Sequence, residues 1–237
     1  MPVDEAVIRL ENACKVYAVG EVPVHALTDA NLTIGSGEFV VILGPSGCGK
    51  STFMNLIGGL DQPTSGRVVV QGRDISTLDE RELTLFRRQT VGFIFQFFNL
   101  VNTLTAAENV QLAADLAKNP LGVNAMLEAV GLSGRGHHFP SELSGGEQQR
   151  VAIARALVKR APIMLCDEPT GELDEETGRM VLELLHRATH EYRQTVLIVT
   201  HNAAIAAIAD RVVRLRSGKV VADEPNPNPV DPSEVRW

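Results

Sequence analysis

The run Gly44-Pro45-Ser46-Gly47-Cys48-Gly49-Lys50-Ser51-Thr52 contains the pattern G-x-x-x-x-G-K-[ST]. Glycines at 44, 47 and 49 let a backbone wrap closely around an anion and point successive N–H groups at it. Lys50 brings a point charge suited to phosphate oxygens, and the Ser51 hydroxyl is a hard oxygen ligand of the kind Mg²⁺ accepts. The apolar run Phe39-Val40-Val41-Ile42-Leu43 precedes the loop and Phe53-Met54-Asn55-Leu56-Ile57 follows it. That order predicts strand, loop and helix, with the helix N-terminus adding open donors and the positive end of its dipole. A Gly-rich turn before a core helix is the plain alternative, and the agreement of both flanks with the pattern argues against it.

Further residues sit where they could complete such chemistry. Asp167-Glu168 close the apolar run Pro162-Ile163-Met164-Leu165-Cys166. Adjacent carboxylates there fit a metal-organising aspartate and a glutamate that polarises an attacking water, or else a solvated strand end. His201 ends the buried run 195–200, and ligands in an open α/β sheet gather at the carboxyl ends of strands, so His201, Asp167 and the loop at 44–52 are expected to converge. Gln96 closes 91–95 and reads either as a weak Mg²⁺ or water ligand or as a strand-terminating hydrogen bonder. Ser144-Gly145-Gly146 open a strongly helical stretch, as a second anion-binding helix terminus or an ordinary capped start. Tyr17, one of two tyrosines, ends an early strand, where its ring could stack on a base or sit at the edge of the core. Cys48 is either a thiol activated by the helix terminus or a small filler. Phe97 and Phe98 read equally as core or as a docking site for another protein's helix.

The elements that must position these residues follow from pattern and punctuation. Strands are expected over Ile8–Val16, as a pair within Val24–Ile34, and over 67–70, 91–96, 162–166 and 195–200, with a closing hairpin at 212–221 around Ser217-Gly218. Helices are expected after Lys50, as a short exposed one at 79–88, as one opened by Ser144-Gly145-Gly146 and strongly helical over 151–157, and over 175–187. Residues 106–130 are helical in composition and broken at Asn119-Pro120-Leu121-Gly122, so they are expected to form a lobe set apart from the sheet, within a helical lobe inserted at about 97–160. The tail from Glu224 has four prolines in nine residues, so 223–237 should be extended or flexible.

At 237 residues the chain suits one domain, or one core with an attached lobe. Its net charge is −7, without long blocks of either sign, which argues against nucleic acid as a direct partner. No apolar run approaches the roughly 18 residues of a membrane span, and nothing reads as a secretory signal, so a cytosolic location is expected. The three cysteines lack paired metal-ligand spacing and are expected to be reduced.

Taken together these motifs resemble the nucleotide-binding domain of an ABC ATPase, over about residues 1–222. Leu143-Ser144-Gly145-Gly146-Glu147 resembles the signature motif, which is far more specific than the phosphate loop. The resemblance implies an α/β fold: a P-loop NTPase core with an antiparallel β subdomain and a helical signature subdomain. It also implies ATP and Mg²⁺ as ligands, with Tyr17 stacking on adenine and Gln96 and Asp167 joining Ser51 around the metal. Glu168 would be the general base, His201 the γ-phosphate sensor, and Asp174 part of the D-loop beside the nucleotide. Ser144-Gly145-Gly146 would cover ATP bound by a second copy in a head-to-tail dimer, while Gln96 would couple the site to an integral membrane permease.

Within the superfamily, Glu21–Leu27, Phe53–Asp61 and Cys166–Gly171 are most similar to the MacB and LolD group. That similarity implies work in export, lipoprotein release or mechanotransmission at the cytoplasmic face of the inner membrane, through a MacB/FtsX-like permease. A regulatory ATPase like FtsE, acting on wall hydrolases, and a soluble non-transport ABC protein are the alternatives. Two departures accompany the resemblance: Glu172 places a charge in the D-loop, and the segment between Gln96 and Ser144 is several residues shorter than expected.

Overall fold

The computed structural model describes residues 6–20 and 22–236. Residues 1–5, Glu21 and Trp237 lie outside it, and with them the start of the Glu21–Leu27 stretch and the outer ends of the segments expected at 1–222 and 223–237. One sheet is antiparallel. β1 (Ala6–Val19) and β2 (Val22–Gly35) form a long hairpin, and β4 (Ser65–Val70) and β5 (Arg73–Asp74) extend it in the order β2-β1-β4-β5. Where a pair of strands was expected within 24–34 there is one strand, because bulges keep it in register with β1 from Val19↔Val22 to Ala6↔Gly35. Asn12 and Asp29, both at positive φ, take up the irregularity, as residue types that tolerate the left-handed region.

The second sheet carries β3 (Phe39–Leu43), β6 (Val91–Ile94), β7 (Ile163–Asp167), β8 (Thr195–Thr200), β9 (Arg211–Arg216) and β10 (Lys219–Pro225) in the order β10-β9-β3-β8-β7-β6. All pairings are parallel except β10 with β9. Parallel strands buried on both faces must be apolar throughout, and β3 is: Phe39, Val41 and Leu43 enter one core while Val40 and Ile42 enter the other. Each such side chain contributes about 1.5–3 kcal/mol by its burial. α1 (Lys50–Ile57) packs into the core shared by the two sheets through Phe53, Met54, Leu56 and Ile57. α2 (Glu80–Thr90) buries only Leu83 and Phe86 of its large apolar residues, in keeping with a mostly exposed helix.

Between β6 and β7 the chain forms α3 (Ala106–Asp115), α4 (Val123–Ala129) and α5 (Gly145–Leu157). α3 and α4 pack on each other and on α5, and it is α5 that reaches the sheet, at β6. Val110, Leu127, Val151 and Ile153 share one continuous core with Phe39, Val41 and Ile198, because α5 is apolar enough to bury against both. After β7, α6 (Glu175–Tyr192) leads to β8. The C-terminal segment departs from expectation. Its prolines end β10, but the Asn226 and Val230 N–H groups donate to Asp210 and Ala207 carbonyls, and Pro232 and Val235 are buried beside α6. A few apolar residues suffice to dock a stretch whose composition alone reads as loose.

Candidate active site

In the sheet order β3, β8, β7, β6, the strands lead into Gly44, His201, Asp167-Glu168 and, two residues beyond β6, Gln96. Neighbouring strands lie about 4.8 Å apart, so residues far apart in sequence meet along one sheet edge. They line a cleft of about 530 Å³ with Ser46, Gly47, Gly49, Lys50, Ser51, Thr52, Gln96, Asp167, Glu168 and His201 on its walls. Val24, His25 and Ala26 of β2 close another side, a contribution that sequence reading missed because nothing in their types signals a ligand.

The loop is held from behind. The Gly218 N–H donates to the Cys48 carbonyl at 2.9 Å, and the Thr28 N–H donates to the Gly218 carbonyl at 2.8 Å, so the β9–β10 turn and β2 grip its base. Gly49 has φ 105°, and a Cβ there would collide with the Ala26 carbonyl oxygen. A Cβ on Gly44 would collide with Cys48 Sγ and the Leu215 carbonyl. Buried Cys48 is thus the filler of the two readings offered for it. Pro45 turns the exposed side of the loop and accepts the Cys48 N–H.

α2, α3 and α5 begin with side-chain capping boxes. α1 starts at Gly49 with no side-chain cap, which leaves its first N–H groups facing the cleft for an anion. Lys50 is buried and donates to the Gly44 and Pro45 carbonyls at 2.7 and 3.1 Å, with a third N–H to spare.

The Ser51 hydroxyl donates to Asp167 Oδ2 at 3.1 Å. Burial pushes the Asp167 carboxyl above its ordinary value and Glu168 adds to this, while Ser51 and Lys50 oppose it. A nearby cation would favour the charged form. Hard oxygens on Ser51, Asp167 and Gln96 in one cleft fit Mg²⁺ that draws its other ligands from water and phosphate. Among the described residues no three or more His, Cys, Asp or Glu side chains cluster to hold a metal by themselves.

Glu168 sits at φ 46°, an uncommon backbone state for a non-glycine residue and one found where surrounding structure enforces it. Its N–H donates to the Val199 carbonyl. Its carboxylate accepts the Thr200 hydroxyl at 2.7 Å and the His201 N–H at 2.9 Å, and lies 2.7 Å from His201 Nδ1. Thr200 went unremarked in the sequence as the last residue of a β-branched strand, yet it orients Glu168. His201 itself is largely exposed, its side chain 72% accessible.

Other expected residues stand outside this cleft. Tyr17 is beside it, its hydroxyl donating to Asp61 Oδ2 at 2.8 Å. Ser144 caps α5 through a box with Glu147, and Gly145 and Gly146 form the first turn, none of the three lining the cleft. Asp174 caps α6, accepting the Thr177 N–H at 3.0 Å and hydroxyl at 2.7 Å. Buried Gln149 ties α5 to the Pro169 carbonyl, one residue past Glu168. Of the aromatic pair, Phe97 is 77% exposed, whereas Phe98 is partly covered beside Gly145.

A family model described as ABC transporter matches residues 27–171. The chain is 48% identical over 221 residues to the macrolide export ATP-binding/permease protein MacB of Brucella melitensis, covering 91% of this chain and 34% of that one. It therefore spans about a third of the length of that relative. It is 45% identical over 229 residues to an uncharacterized ABC transporter ATP-binding protein of Methanocaldococcus jannaschii, covering 92% of this chain and 96% of the other. Among solved structures it is similar, at TM-score 0.88 and 42% identity, to a dimeric ATP-binding cassette in a post-hydrolysis state bound to ADP and Pi, over 92% of this chain and 98% of that one.

Proposed function

The chain belongs to the ABC transporter ATPase family, and from that membership we propose that it is the ATP-hydrolysing subunit powering a MacB- or LolD-like permease in export, lipoprotein release or mechanotransmission. The observation that carries the catalytic part is the meeting of Ser51 with Asp167 and of Glu168 with His201 at adjoining strand ends beside the phosphate loop. The MacB relative supports the transport part, since its name joins ATP binding to a permease.

In this reading the open N–H groups of the loop and α1 hold the β- and γ-phosphates, and Lys50 adds its charge. Ser51 and Asp167, with Gln96, hold Mg²⁺, which supplies charge neutralisation at the phosphates. Glu168 takes the proton from the attacking water. Its carboxylate must first leave His201, whose ring is then released toward the γ-phosphate. Tyr17 stacks on the base. Ser144, Gly145 and Gly146 lie at an exposed helix start outside their own cleft, an arrangement suited to covering the nucleotide of a second copy, as the dimeric cassette relative supports. Asp174, as the cap of α6, fixes the D-loop near that junction. No described helix is long and apolar enough to cross a membrane; placement at the cytoplasmic face of the membrane would come through the permease, with exposed Phe97 beside Gln96 on the coupling side.

The experiment is to purify tagged Glu168→Gln protein with ATP and Mg²⁺ from detergent-solubilised membranes of the native cell and identify what it retains. A permease with few spans and a large extracytoplasmic domain is expected. Retention of soluble proteins or nucleic acid alone would overturn the transport reading.

A further inference from the structure

Tyr17 lies on β1, 44 residues before Asp61, yet one carboxylate joins them. Asp61 Oδ2 accepts the Tyr17 hydroxyl at 2.8 Å, while Oδ1 takes the Lys15 ammonium and the Gln62 N–H. The ammonium donates again to the Gln62 carbonyl at 2.8 Å and stands 5.0 Å from the centre of the Tyr17 ring, over its face. Asp61 is itself fastened to the phosphate-loop helix: its N–H and that of Leu60 donate to the Asn55 carbonyl in α1. The Thr52 side chain, which lines the cleft, also contacts the Tyr17 hydroxyl. Ring and phosphate loop therefore share one frame, with Asp61 as the joint.

We infer that Asp61, assisted by Lys15, is a positioning residue that sets the Tyr17 ring at a fixed offset from the phosphate loop, as a stacking platform for the base of a nucleoside triphosphate. The inference rests on the proposed role of Tyr17. The Lys15 ammonium covers one face of the ring, so a base stacks on the other. A ring held by its hydroxyl loses little freedom when a base arrives, which is the benefit of preorganisation. Stacking reads a π face, and every base has one. The platform thus favours a nucleoside triphosphate over an inorganic polyphosphate and discriminates weakly between purines.

The test compares Tyr17→Phe, Asp61→Ala, the double variant and Tyr17→Ala by KM and kcat for ATP and by the Kd of inorganic tripolyphosphate. Loss of one net hydrogen bond predicts that Tyr17→Phe and Asp61→Ala each raise the ATP KM about 3- to 10-fold. Unchanged kcat, unchanged tripolyphosphate affinity and a double variant no worse than the more affected single are also expected, because the two changes remove the same contact. An unchanged KM in Asp61→Ala, with a raised KM in Tyr17→Ala, would overturn the positioning role and leave the stacking role standing. An unchanged KM in Tyr17→Ala would overturn both. Equal weakening of ATP and tripolyphosphate by Asp61→Ala would make Asp61 a support of the phosphate loop and overturn the inference. Should Asp61→Ala fail to fold, Tyr17→Phe alone decides, since it removes the same hydrogen bond while keeping the Lys15–Asp61 pair.

Discussion

Glu168 and His201 are joined twice through one oxygen: Glu168 Oε1 accepts the His201 backbone N–H at 2.9 Å and faces its ring Nδ1 at 2.7 Å. With Thr200 on the other oxygen, the carboxylate is held at the end of β8 beside the phosphate loop. An amide of the same shape keeps an oxygen for Thr200 or for the His201 N–H but cannot take a proton from water. Glu168→Gln is expected to bind ATP with affinity within about threefold of the parent and to lose at least ~100-fold in kcat. Equilibrium nucleotide binding and steady-state phosphate release measure the two, and substantial turnover by the variant would remove Glu168 from the base role.

At Gly49 the constraint is backbone rather than chemistry. A φ of 105° lies outside what alanine readily adopts, and the added methyl would strike the Ala26 carbonyl. Gly49→Ala is expected to cost about 1–3 kcal/mol in stability and to weaken binding of ATP and tripolyphosphate alike by at least ~10-fold, because the first N–H groups of α1 are displaced. Denaturant unfolding and isothermal titration check both effects. Normal phosphate affinity in a folded variant would mean that the loop does not depend on this conformation.

What the sequence made legible, and what it hid, follow from the range of the interactions. Asp167, Glu168 and His201 could be placed at strand ends, and Lys50 and Ser51 at a helix start, because apolar runs punctuate each, a local signal. The open-sheet rule then brings Asp167, His201 and the phosphate loop together. Thr200 holding Glu168, Asp61 holding Tyr17 and Gln149 holding Pro169 depend on contacts across 32, 44 and 20 residues, with no pattern at either end to announce them. The lobe of α3 and α4 could be read as a unit from its helical composition, whereas the packing of α5 that ties it to β6 has no local pattern to announce it. The readings of Ser144 as a plain cap and as an anion site are compatible, since the capping box occupies its side chain while the glycine turn stays exposed.

Burial pushes the Asp61 carboxyl up, but hydrogen bonds from Lys15, Tyr17 and Gln62 outweigh it and hold the carboxyl below its ordinary value. A depressed folded value means the unfolded state binds the proton more readily. The contribution is full above the unfolded value near pH 4 and is lost as pH falls through the folded one. Asp61→Asn is expected to be less stable by about 1 kcal/mol at pH 7, a modest figure because the pair is partly exposed. The two unfolding curves should converge in acid, and a constant gap from pH 7 to pH 3 would contradict the linkage.

The docked C-terminal segment makes an equally direct claim. Val235 is 3% exposed and joins the core that includes Leu185 and Ala188 of α6. Val235→Ser is expected to lower stability by about 2 kcal/mol and Tm by roughly 4–8 °C, leaving the KM for ATP unchanged. A flexible tail would give no shift in Tm, so calorimetry on the full chain separates the two.

Ser144 offers the sharpest separation of a site within one chain from a site shared by two. Its side chain is spent on its own helix, accepting the Glu147 N–H and donating to the Glu147 carboxylate at 2.9 Å, and it does not line the cleft that holds Lys50. Substitution by arginine loses this cap, at about 1 kcal/mol, and places a long cation over the exposed glycine turn. If that turn covers the nucleotide of a second copy, Ser144→Arg in the Glu168→Gln background binds ATP as a monomer with unchanged affinity and no longer dimerises on ATP addition. Light scattering with and without ATP, alongside monomer titration, reads both quantities. Mixing supplies the decisive arm: Lys50→Ala protein retains a normal signature turn but lacks one phosphate ligand, so combined with Ser144→Arg protein it can assemble one intact composite site of two. A heterodimer from two chains that each fail to dimerise alone follows only from a site built across the interface; loss of monomer binding in Ser144→Arg would instead place Ser144 in its own chain's site.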